Sequence, residues 1–139
     1  METHDVTHEP LKVLVVDDEP VMLEVVGGML LRAMPDTRVT YASDAETALQ
    51  RVEKDKPNLV VLGVFLDDSS KTGFEILEEV RASGDDVPVV LMSGSEAAAL
   101  EAAERWLPCY SRVSFLPKPF TRDELVEAVR LVLSQEAAP

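Results

Sequence analysis

Basic residues are scarce in this chain: 13 Lys and Arg stand against 26 Asp and Glu in 139 residues, for a formal net charge of -13. Nucleic-acid binding rests mainly on Lys and Arg neutralising phosphates and releasing counterions, so direct contact with DNA or RNA is excluded as this chain's own activity. Cysteine is nearly absent. With Cys109 alone, no internal disulfide and no cysteine-based zinc cluster can form, which fits a reduced, cytoplasmic setting. Long apolar runs are missing too: no stretch approaches the roughly 18 to 20 residues that a membrane helix requires, and the opening METHDVTHEP is polar and acidic. A soluble, intracellular protein is expected. His4 and His8 make a metal pair only on paper, since they lie in a terminal tail without an evident third ligand.

What the chain does have is apolar residues, 46% of the total, enough for a single buried core at this length. Leu11 to Asp17 reads LKVLVVD, a nearly continuous run of the length of a strand buried on both faces. A helix is expected from Glu19 to Met34, with Pro20 at an early position, two rows of Val, Met and Leu at helical spacing, and Pro35 as its stop. Gly27 and Gly28 weaken that helix by roughly 1 kcal/mol each relative to alanine, so they point to close packing against the sheet. Arg38 to Ala42 is a modest second strand, followed by Ser43 and Glu46 at capping-box spacing. Asn58 to Gly63 and Val87 to Met92 are further strongly apolar strands. Between them Phe74, Leu77 and Val80 repeat at helical spacing, and Ser95 to Leu107 is Ala-rich and helical. A short strand at Val113 to Leu116 precedes a last helix, which Thr121 and Glu124 open with a capping box.

Five strands alternating with five helices indicate an α/β, doubly wound (βα)5 fold with a five-stranded parallel sheet in the order 2-1-3-4-5. The domain spans residues 11–134, between a disordered tail at 1–10 and a frayed tail or linker at 135–139. Ligands in such a sheet bind outside the carboxyl ends of the strands, beside the switch between the first and third. The residues there are charged. Asp17 and Asp18 end the first strand, and two carboxylates about 4 Å apart repel by roughly 4 kcal/mol at an effective dielectric near 20, so a cation is expected beside them. Lys118, in FLPKPF after the fifth strand, supplies one, and the Ser93 hydroxyl closes the fourth strand. Glu19 is adequately explained as an acidic helix start. An acidic pair, a lysine and a hydroxyl suit an oxyanion beside a divalent metal, with Mg²⁺ on Asp18 and Asp17 the natural candidate.

At this point the sequence resembles the receiver domain of two-component response regulators, over roughly residues 11 to 134. The resemblance rests on DDE at Asp17 to Glu19, Ser93 after the fourth strand, Phe115 at the aromatic switch position, and Lys118 in the K-P-F run. It implies a flavodoxin-like receiver fold and a cis peptide between Lys118 and Pro119, Ser93 and Phe115 acting as switch residues, and a role in phosphorelay signal transduction rather than as an enzyme. It also implies protein partners, namely a histidine kinase, a phosphotransfer protein or an output domain, met through the fourth-helix, fifth-strand and fifth-helix face, near which Trp106 would lie.

The resemblance fails where the chemistry is concentrated. Receivers carry the phospho-accepting aspartate at the end of the third strand, whereas this one ends Leu62-Gly63-Val64. Glycine offers no attacking atom for phosphoryl transfer, so a phosphorylation-independent interaction module with a weakened Mg²⁺ site is expected. The following loop, LDDSSKTG, is longer than the family's pattern. Asp67 or Asp68 could be a displaced acceptor, but about 13 to 17 Å of extended chain separates them from Gly63, and a solvated acidic turn is the simpler account of them. A Mg-dependent phosphohydrolase using Asp17 as nucleophile is a weaker alternative, because the expected D-x-D is here Asp17-x-Glu19.

Overall fold

The apolar runs too short for helices become the middle of a sheet, where a strand must be apolar on both faces because helices cover both. The computed structural model of the chain describes residues 10–66 and 71–135. In chain order it contains β1 (Lys12–Val16), α1 (Pro20–Ala33), β2 (Arg38–Ala42), α2 (Ala45–Asp55), β3 (Leu59–Gly63), α3 (Gly73–Ala82), β4 (Val89–Ser93), α4 (Glu96–Glu101) with a π-helical turn at Ala102–Trp106, β5 (Val113–Pro117) and α5 (Arg122–Ser134). The strands pair in parallel in the order β2-β1-β3-β4-β5, as the alternating pattern predicts. Every residue of β3 and β4 is buried, while the outer strands β2 and β5 are only partly so.

Alternation along each strand divides the core in two. Leu14, Val16, Val60, Leu62, Val89 and Leu91 pack against α2, α3 and α4, whereas Val13, Val15, Val61, Val90 and Met92 meet α1 and α5 through residues such as Val26, Leu30, Leu125 and Val129. No helix among the described residues is long and apolar enough to cross a membrane.

Three local expectations need correction. The second helix is capped by Asp44, whose side chain accepts from the Thr47 amide at 2.8 Å, and not by Ser43; aspartate is the better N-cap acceptor because it carries a full charge at the positive end of the helix. The Ala-rich segment is not one uniform helix. It widens into the π turn at the place where Trp106 lies flat on Phe74, with ring centroids 5.1 Å apart, and donates from Nε1 to Glu101 Oε2 at 2.9 Å. The glycine pair also splits: a Cβ at Gly27 would meet the Tyr41 hydroxyl of β2 at 2.2 Å, but one at Gly28 would meet nothing within 4 Å. Only the first marks close packing.

The lead into β5 is held by side chains from α3 and from the end of α5, where Gln135 Oε1 accepts from the Arg112 amide at 2.7 Å. Arg81 at the end of α3 donates to Asp85 O, and its other terminal nitrogen reaches Ser111 O and Arg112 O at 3.2 and 3.4 Å. Burial pulls its guanidinium below the ordinary arginine range, while Asp86 and Asp85 pull it back up.

Candidate functional site

The first strand does not release its chain at Val16. The Asp17 amide still donates to Ala42 O at 3.1 Å, so the side chain of Asp17 is fixed at the sheet's carboxyl edge, with the residue only 1% exposed. A carboxylate so buried is costly unless its charge and lone pairs are answered. Two groups answer it: the Glu19 amide donates to Oδ1 at 2.9 Å and the Lys118 ammonium to Oδ2 at 3.1 Å. Lys118 arrives from the far side of β3 and β4 because its own amide donates to Ser93 O at 2.9 Å, which extends the β4–β5 pairing, and the Lys118–Pro119 bond is cis.

Asp18 is half-buried at the rim. Together with Glu19, Phe65, Ser93, Gly94 and Lys118 it lines an open depression of about 300 Å³ beyond the strand ends. Ser93 is buried, and its hydroxyl accepts from the Ser95 amide at 3.0 Å while Ser95 in turn caps α4. The hydroxyl therefore shapes the entry to α4 as well as facing the depression. Phe115 is half-buried against the α2–α4 side of the core and does not line the depression. Phe65, 55% exposed beside the pocket, was not singled out from sequence; an aromatic residue directly after a buried strand, in a loop, was the available signal.

Gly63 closes β3 against this pair. A Cβ there would lie 3.1 Å from Asp17 Oδ2 and 3.3 Å from Val16 O, so the Asp17 carboxylate crowds the space that a side chain would claim. Beyond Gly63 the Val64 amide donates to Met92 O, and the Gly73 amide donates to Val64 O. A Cβ on Gly73 would stand 2.4 Å from Gly63 O, which makes glycine obligatory there. Asp67 and Asp68 lie outside the described residues, as do His4 and His8.

For a divalent cation this donor set is poor. Mg²⁺ demands near-octahedral oxygen ligands, yet both oxygens of Asp17 are already engaged, and among the described residues no group of three or more candidate ligands converges anywhere.

A family model described as the response regulator receiver domain matches residues 13–130. Among curated proteins, the probable transcriptional regulatory protein TcrX of Mycobacterium tuberculosis is 34% identical over 130 residues, which is 90% of this chain and 50% of TcrX. The nitrogen assimilation regulatory protein NtrX of Azorhizobium caulinodans is 34% identical over 82% of this chain and 24% of its own length. The chain thus spans half or less of these two relatives. Among solved structures, the receiver domain of NtrX from Brucella abortus superposes with a TM-score of 0.75 at 31% identity, over 87% of this chain and 97% of that one. A putative response regulator from Chloroflexus aurantiacus gives 0.76 at 26% identity, over 91% and 99%. The strand order, the buried aspartate and its lysine are thus carried by a chain that belongs to the response regulator receiver domain family.

Proposed function

We propose that this receiver works in two-component signalling as an interaction module that does not depend on phosphorylation. The observation that carries the reading is the pairing of Lys118 with Asp17 Oδ2, the carboxylate oxygen that faces Gly63. In the family resemblance the acceptor aspartate belongs at Gly63, and without it no carboxylate among the described residues takes the acceptor's place at the end of β3. Asp17 makes a poor substitute nucleophile, being buried with both oxygens held, which also speaks against the phosphohydrolase reading. Lys118 then supplies to Asp17 the positive charge that a metal would otherwise bring, and Mg²⁺ is at most weakly held.

The partner would be a histidine kinase, a phosphotransfer protein or an output domain, met on the face formed by α4, β5 and α5. Leu100 and Leu131, 59% and 52% exposed on α4 and α5, favour that face, since exposed large aliphatic residues raise its capacity for apolar contact. The test is incubation of the whole chain with acetyl phosphate and Mg²⁺, read by intact mass. No adduct is expected. A stable gain of one phosphoryl mass would overturn the reading, and its loss in Asp67→Ala or Asp68→Ala would then locate a displaced acceptor.

A further inference from the structure

The opposite end of the sheet carries a charge pattern that runs against the rest of the molecule. Acidic residues outnumber basic ones two to one, 26 against 13, yet Lys12, Arg38 and Lys56 line one cavity of about 750 Å³ at the amino ends of β1 and β2, with Asp36 as its one acidic lining residue. Part of this is explained by the fold. The carboxyl ends of α1 and α2 both point here, and a helix carboxyl end carries about half a negative charge. Lys12 answers α2 directly, its ammonium donating to Asp55 O at 2.7 Å.

The other two cations are surplus to that. Among the described residues the side chains of Arg38 and Lys56 make no hydrogen bond and no ion pair, although both line the cavity. Lys56 is held in place by its backbone, which takes the left-handed conformation at φ 50° to end α2, and Arg38 by its amide, which donates to Leu11 O at 2.8 Å. Leu11, Met34 and Pro35 give the wall an apolar part, beside the polar Thr37 and Asn58. A cavity of this size lies in the range of small-molecule sites, which pair an apolar wall with a few fixed polar groups.

We propose that this cavity is a second ligand site, taking a small phosphate ester. The phosphate sits between Arg38, whose planar fork suits two phosphate oxygens, and Lys56, with Lys12 adding charge behind them. The body of the ester rests on Leu11, Met34 and Pro35. Because β1 starts at Lys12 and reaches Asp17 only after its last residue, the cavity and the Asp17–Lys118 pocket lie at opposite ends of the sheet. Occupancy of one is independent of whether the other accepts a phosphoryl group.

The probe is phenyl phosphate, titrated at low salt into the full chain labelled with ¹⁵N, with inorganic phosphate as the comparison. Saturable amide shifts are expected at Lys12, Thr37, Arg38 and Asn58, with tighter binding of phenyl phosphate than of phosphate alone. The double variant Arg38→Gln, Lys56→Gln should bind about tenfold more weakly or not at all, one to two charge-assisted contacts having been removed. Its melting temperature should fall by no more than the added negative charge explains, and should return to the parent's at 150 mM NaCl, because neither side chain makes a contact that holds the fold. Absence of saturation, shifts centred on Ser93 and Gly94, equal binding by the double variant, or equal affinity for inorganic phosphate would each overturn the proposal.

Discussion

Asp17 and Lys118 are separated by 101 residues in sequence and by 3.1 Å in space. With the carboxylate almost wholly buried and the ammonium a quarter exposed, removing the lysine strands a charge in the core. Lys118→Met should destabilise the chain by about 3 kcal/mol, and Asp17→Asn by less, because the amide keeps an acceptor for the Glu19 N–H. Urea denaturation of the two single variants and the double should return a coupling of about 1–3 kcal/mol; a coupling near zero would show that the pair is incidental. At Gly63 the same pocket gives a second prediction. Gly63→Asp forces Asp17 Oδ2 back from a contact of 3.1 Å and adds a third carboxylate, so the variant should melt lower than the parent in the absence of metal. Millimolar Mg²⁺ should raise the melting temperature of the variant by ligating the restored trio, while leaving the parent unmoved. A parent that responds as strongly would show that Asp17 and Asp18 suffice to hold the ion.

Among the elements, glycines separate what a helix tolerates from what a loop requires. Gly28 occupies a half-buried position of α1 with open space where a Cβ would go, so Gly28→Ala should stabilise by about 0.5–1 kcal/mol through helix propensity alone. Gly73 starts α3 with its Cα against the Gly63 carbonyl, and Gly73→Ala should cost about 3 kcal/mol or more because backbone, not a flexible side chain, must move. Thermal melts of the two variants should therefore move in opposite directions. Gly27 and Gly28, by contrast, read alike in sequence, yet only Gly27 has a neighbour in the way of a Cβ. Their contrast was illegible because propensity is local, whereas the space around a Cβ is set by an element that arrives from elsewhere. The capping box of α5 was legible for the complementary reason: Thr121 and Glu124 exchange hydrogen bonds within one turn, so four consecutive residues contain the whole interaction. The π turn at Ala102–Trp106 was not, because Trp106 is fixed by Phe74 of another helix as well as by Glu101.

For the whole molecule, a net charge of -13 over 139 residues implies repulsion that compaction intensifies and salt relieves. The melting temperature should rise as NaCl is raised from about 10 to 150 mM, where the screening length falls to about 8 Å; a fall would mean that attractive pairs such as Lys118–Asp17 dominate the balance. The sequence by itself determined the alternation of elements, and with it the parallel sheet and the strand order, because apolar runs and helical spacing are one-dimensional patterns and right-handed crossovers leave few ways to connect them. It also determined that charged residues meet at strand ends. Only the tertiary structure decided which carboxylate Lys118 joins, that Asp17 fills the space facing Gly63, and that Arg38 and Lys56 share one cavity at the other end of the sheet. Those outcomes depend on distances of a few ångströms between residues that are remote along the chain, and short-range order in a sequence carries no measure of them.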